Sequence, residues 1–307
     1  MKAPSLREVA EWWDRYWFTP APTVNLALAR VLAVAAELFW LFPSLDEQLS
    51  RLQANSHFQH PQYLIRLVAA VFPRDVWFTP HTITVVWWCI AALGVLSLIG
   101  LFTRVVMPLF ALGTWLLVAH RFSYGDVHHS EAMYAFFLMS LSLSPCNEDL
   151  SLDAWRKRRA GRPLEAMSPL ARWPFALAHV LLAMVYLSTG LTKMIFGGLR
   201  WMNGYTLQNR TLQDALGRDI TLGIWVAQQH HLAILLSVGT VVFELGFVVS
   251  LFLPRWKTAF FAVALAFHVG LHLVGGHGFF GHMAVVLILL ICYDAPWLRP
   301  QPRLAPA

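Results

Sequence analysis

Long apolar blocks recur along this chain and constrain it more than any other feature. A bilayer core about 30 Å thick takes about 20 mostly apolar residues per helix. Blocks of that kind fall near residues 23–42, 82–102, 105–121, 130–146, 172–196, 231–253, 257–275 and 278–294. They predict an all-α, polytopic integral membrane protein with about eight transmembrane helices and interfacial helices beside them. Composition agrees. Of the 307 residues, 57% are hydrophobic and 13% charged, whereas soluble domains carry about 25% charge.

The formal charge of +6 does not imply a nucleic-acid partner, because the basic residues lie between apolar blocks. Basic loops of this kind mark the cytoplasmic side of a membrane protein. The strongest is WRKRRAGR at 155–162, with Arg156, Lys157, Arg158, Arg159 and Arg162. With eight spans and that loop inside, both termini, Arg104 and the Pro254–Lys257 turn are also cytoplasmic. The protein is thus expected to be multi-pass in the cell membrane, with the lipid bilayer as its first partner.

The organisation follows. Residues 1–22 form an interfacial amphipathic segment, 23–296 the transmembrane domain, and 297–307 a disordered cytoplasmic tail. The segment LREVAEWWDRYWFT mixes charge with aromatics, unlike a cleavable signal. It reads as a helix holding Trp12, Trp13, Tyr16 and Trp17 at headgroup depth. Residues 44–80 are expected as short surface helices, and 197–229 outside the hydrocarbon. Cys89, Cys146 and Cys292 are far apart and form no CxxC pair, which excludes a disulfide framework.

Polar residues gather on the side opposite the basic loops. One group follows the third span: His120, Arg121, Tyr124, Asp126, His128, His129, Ser130 and Glu131. The others are Lys193, then His268 with His272, then His277 with His282. At a helix centre a lysine costs about 2.5–3.5 kcal/mol on insertion scales, but near a helix end it can snorkel to water. Lys193 fits either reading. Burial is what frees a lysine amine to act as a base near neutral pH, and the glycines of GGLRWMNG allow the chain to turn back over it. His268 and His272, four apart, share a face. They can ligate a metal, or simply bond another helix. No HExxH and no third ligand accompany them, so no metal is assigned. Glu244, isolated in VVFELGFVV, is expected to be protonated or paired with a residue of another helix, with a structural pair favoured over a catalytic role. Arg30 and Glu37, seven apart, share a face and are candidates for interhelical contacts. Ser151 and Asp153 are expected to cap a short surface helix.

Several segments, taken in order, resemble the HTTM family, the horizontally transferred transmembrane domain shared by vitamin K-dependent gamma-carboxylase and bacterial homologues. They are PAPTVNLALARVLA (20–33), GLFTR (100–104), HHSEAMYAFF, LSPC with SLD, YLSTGLTK with W-x-x-G, FELGF and AFHVG. The carboxylase uses a lysine in Y-x-x-x-G-x-x-K followed by W-x-x-G. That segment matches Tyr186, Gly190, Lys193, Trp201 and Gly204. The resemblance implies Lys193 as the base that deprotonates a hydroquinone, with His129 and His268 as further catalytic residues. It places Tyr186, Trp201, Ser130 and His272 against the substrate. The implied cofactor is reduced vitamin K or another quinol. In the carboxylase, oxygenation of the hydroquinone gives a strong base that removes a glutamate γ-proton, and CO2 then adds to the carbanion. The enzyme also has a sizeable domain beyond its membrane part, which has no counterpart after the last expected span here. Quinone-side chemistry is therefore the expectation, more than carboxylation of a protein. The alternative is a non-enzymatic membrane module for immunity, export or binding of a protein or peptide partner. A transporter is disfavoured because no inverted repeat is evident.

Overall fold

The computed structural model describes residues 5–53, 60–72, 79–125 and 127–293. Asp126 and the tail expected at 297–307 lie outside the described residues. The described residues are mostly helical, with one two-stranded ladder among them, β1 (Ala21–Pro22) against β2 (Met167–Ser168). Six helices among these residues are long and apolar enough to cross a membrane: Thr23–Leu41, Pro80–Ile99, Thr103–Phe122, Pro169–Asn203, His230–Leu251 and Pro254–Gly275. Much of their apolar surface is left uncovered. Trp88, Val95 and Ile99 are exposed, as are Val105, Leu109 and Leu112, and only lipid can cover such faces without cost.

The expected count of eight is not reached by length. The stretches expected at 130–146 and 278–294 are the helices His129–Ser142, 14 residues, and Phe280–Cys292, 13 residues. At 1.5 Å per residue they span about 20 Å, less than the hydrocarbon core. The first ends shortly before Pro145, which has no N–H to continue the helical ladder. Ahead of the second, Gly276 closes the helix Lys257–Gly275 at φ 68°.

Two compact units divide the chain. One runs through the described residues up to Ala176 and resumes at Ile291; the other is Leu177–Leu290.

In the first unit, α1 (Leu6–Phe18) opens with a capping box between Ser5 and Glu8, and none of its residues is buried. Helix α2 (Thr23–Ala36) ends in a π-helical turn, Glu37–Leu41. It is followed by α3 (Leu45–Gln53), α4 (Tyr63–Val71), α5 (Pro80–Ile99), α6 (Thr103–Phe122), α7 (His129–Ser142) and α8 (Leu152–Arg159). Leu26, Ala29 and Ala33 of α2 are fully buried, and so is Arg30. Arg30 does not meet Glu37. Its guanidinium donates to the carbonyl of Ser97 at 2.9 Å and to that of Leu150. The cation thereby satisfies a carbonyl of the last turn of α5, where the helix dipole favours positive charge. Ser151 caps α8 as expected. Asp153 does something else: its carboxylate accepts from the backbone N–H groups of Phe102 and Thr103, at 3.0 and 2.7 Å. It neutralises the start of α6 across the GLFTR turn.

The second unit contains most of α9 (Trp173–Gly197), a 3-10 turn (Gly198–Asn203), α10 (Tyr205–Arg218), α11 (Thr221–Gln228), α12 (His230–Gly246), α13 (Lys257–Gly275) and most of α14 (Phe280–Cys292). The polar stretch 197–229 is therefore helical. Gln208 ties it down, donating to the carbonyl of Ala227 and contacting the ring of His230 at 2.8 Å.

Candidate functional site

In the second unit the site is built on one face of α9. His179, Tyr186 and Lys193 are spaced by seven residues, two helical turns, so they lie along one stripe. Gly190 sits between the last two. A Cβ there would stand 2.9 Å from Leu245 Cδ2 and 3.1 Å from Glu244 Cβ. The missing side chain lets α12 approach α9, and Lys193 meets Glu244 less than one turn further on. The lysine Nζ lies 2.7 Å from each carboxylate oxygen. The side chain of Glu244 is 6% exposed and that of Lys193 is 22% exposed.

The turn after α9 folds back as its glycines suggested. Gly198 and Gly204 adopt φ of 54° and 87°, and the turn between them brings Trp201 over Lys193. The ammonium lies 5.3 Å from the ring centroid, in cation–π range. Lys193 is thus engaged by the Glu244 carboxyl and covered by the Trp201 ring.

One stripe position earlier, the hydroxyl of Tyr186 shares a 2.8 Å hydrogen bond with Nε2 of His268. Both residues are buried. Phe243 and Phe247 pack on Tyr186, at 4.9 and 4.7 Å between centroids, while Phe279 and His282 pack on His268 at 5.4 and 5.2 Å. The two imidazoles are nearly parallel, at 13°. His272 is turned away from this contact and packs on Phe280 at 5.2 Å. At the start of the stripe, His179 bonds Ser250 at 2.7 Å. Tyr186, Lys193, Trp201, Glu244 and His268 are therefore gathered within one unit.

His129 and Ser130 belong to the first unit, at the start of α7. Ser130 is buried. The next residue, Glu131, pairs with Arg121 at 2.8 Å. His120, expected in the same polar group, is buried and bonded to Gln48 at 2.7 Å. Among the described residues no three His, Cys, Asp or Glu side chains group as a metal site requires.

Sequence reasoning did not single out His179 or Asp214. His179 was findable, because its seven-residue spacing to Tyr186 continues to Lys193. Asp214 carries no such signal. It meets His277 at 2.9 Å and Arg218 at 3.1 Å, and the fold of α10 against the turn before α14 brings the acid and the imidazole together.

These features define a polytopic helical membrane protein with a buried acid–amine pair. The model of the HTTM domain matches residues 18–297, and the chain belongs to that family. No curated protein and no solved structure matches the chain.

Proposed function

We propose that this HTTM protein binds a quinol, such as reduced vitamin K, and uses Lys193 as a base, in the manner of the vitamin K-dependent gamma-carboxylase. With His129–Ser142 and Phe280–Cys292 counted as crossings beside the six longer helices, the basic loops put the site on the outer side of the cell membrane and both termini in the cytoplasm. The observation that carries this reading is the contact of Lys193 with Glu244 under Trp201. A proton passed from Nζ to a Glu244 oxygen along that 2.7 Å contact turns the ion pair into an amine and an acid. The amine then has the lone pair a base needs, and Glu244 keeps the displaced proton within reach. The surroundings suit an aromatic headgroup: Trp201 beside the amine, Phe243 and Phe247 on Tyr186, and Phe267 and Phe279 on His268. A bound quinol would supply an ionisable hydroxyl. Tyr186 and His268, locked together, would orient it, with His272 further along α13. The roles of His129 and Ser130 rest on the motif.

The test is quinone binding and quinol-dependent turnover by purified protein, comparing wild type with Lys193→Ala and Lys193→Arg. Lys193→Arg keeps the cation beside Glu244 but cannot give up its proton. Turnover is expected in wild type alone, with weaker binding in Lys193→Ala. Unchanged binding in Lys193→Ala together with no turnover in wild type refutes the proposal.

The same contact supports a second reading. Lys193 donates to both oxygens of Glu244, which is also what a cross-link between α9 and α12 requires. In a non-enzymatic module for immunity, export or partner binding, the pair would serve only that purpose.

A further inference from the structure

Glu37 opens the π-helical turn at the end of α2 and is only 2% exposed. Its backbone carbonyl accepts from Phe42 N–H at 2.7 Å, while no described residue forms an ion pair or side-chain hydrogen bond with its carboxyl. An ionised carboxylate in such a place is costly unless something balances it.

The surrounding charges do not supply that balance. On α7, Glu131 carries a charge of like sign. From α6, Arg121 is engaged with Glu131 at 2.8 Å and with Glu47 at 3.6 Å. From α3, Arg51 is engaged with Glu47 at 2.7 Å. His120 is held by Gln48. On α7, His129 stands at the first turn, and Tyr134 donates its hydroxyl to the carbonyl of Ala33. Helix α5 brings His81 and Cys89, both exposed. On its own helix, Arg30 is two turns away and committed to Ser97 and Leu150. Among the described residues no three His, Cys, Asp or Glu side chains group around a common point. A proton needs only one carboxyl.

We propose that Glu37 is a proton-binding site within the membrane, taking up and giving back a proton beside the Glu47–Arg121–Glu131 ion chain. The site belongs to the first unit and does not depend on the quinol reading.

A lipid-soluble carbodiimide, dicyclohexylcarbodiimide, tests it. The probe adds to a protonated carboxyl. The acid's proton goes to one probe nitrogen and the carboxyl oxygen bonds its central carbon, and the adduct rearranges to a stable acylurea with nothing leaving. Purified protein is treated across a pH series, and the adduct is mapped by peptide mass spectrometry. The expected result is an adduct on Glu37 that declines as pH rises, is lost in Glu37→Gln and persists in Glu131→Gln. A water-soluble carbodiimide is expected to leave Glu37 unmodified. If Glu37→Gln does not fold, mapping on the wild-type chain decides alone. No adduct on Glu37 at any pH overturns the proposal. So does protection by sodium chloride at constant ionic strength, which would make the occupant a metal cation.

Discussion

The ammonium of Lys193 lies 2.7 Å from both carboxylate oxygens of Glu244, joining α9 to α12 where Gly190 lets the helices close. Removing one member leaves the other charge buried. Lys193→Ala or Glu244→Gln alone should cost about 3 kcal/mol, the low end for breaking a buried pair, because the lysine keeps some exposure. Replacing both with methionine should recover most of that loss. Thermal unfolding in detergent measures it, and a double variant no more stable than either single one contradicts the account.

Tyr186→Phe deletes the hydroxyl bonded to His268 and changes little in volume. The imidazole nitrogen then loses its partner in a buried place, at a cost of about 1–3 kcal/mol. In a His268→Phe background the same change should cost much less. Comparing the four melting temperatures isolates the coupling, and purely additive effects would argue against this bond.

Gly100 closes α5 at φ 70°. A Cβ there would come within 2.2 Å of Arg30 Nη1 and 2.4 Å of Ser151 Cβ. Gly100→Ala should destabilise by about 1–3 kcal/mol from the backbone conformation alone, and by more from the collision. Arg30→Met removes one of the colliding groups, so the pair of substitutions should cost less than their sum. Full additivity in unfolding experiments would mean the guanidinium does not occupy this turn.

Helix α1 should lose its cap in acid. The Ser5 backbone N–H, then the Ser5 hydroxyl, hold the Glu8 carboxyl below its ordinary range. A carboxyl lowered by folding stabilises above its unfolded pKa, and that contribution disappears as pH falls through the folded value. Fluorescence of Trp12 and Trp13 should report α1 fraying at acid pH, and Ser5→Ala should fray it at neutral pH as well. Identical pH curves for the two proteins would exclude the capping box as the cause.

The apolar blocks were legible because a bilayer imposes length and hydrophobicity directly on sequence. Six of them became helices of spanning length. His129–Ser142 and Phe280–Cys292 fell short for local reasons, a proline soon after one and a glycine turn ahead of the other. Such reasons disappear when hydropathy is averaged over a window. The Y-x-x-x-G-x-x-K pattern pointed to Lys193, and FELGF marked Glu244 as needing a partner. Neither said that the two are each other's partner. Asp153 shows the same limit. Its position suggests a cap for α8, whereas its carboxylate serves α6, fifty residues back in the chain.

By itself the sequence determined a helical membrane protein and the HTTM family to which it belongs. These follow from local pattern and motif order, which need no knowledge of distant contacts. Only the tertiary structure decided which charges meet. Lys193 found Glu244, Arg30 found two carbonyls, and Glu37 found no cation among the described residues. In a low-dielectric interior the state of each charge depends on what lies within a few ångströms. Helix packing sets that distance, and residues far apart in the chain do not reveal it.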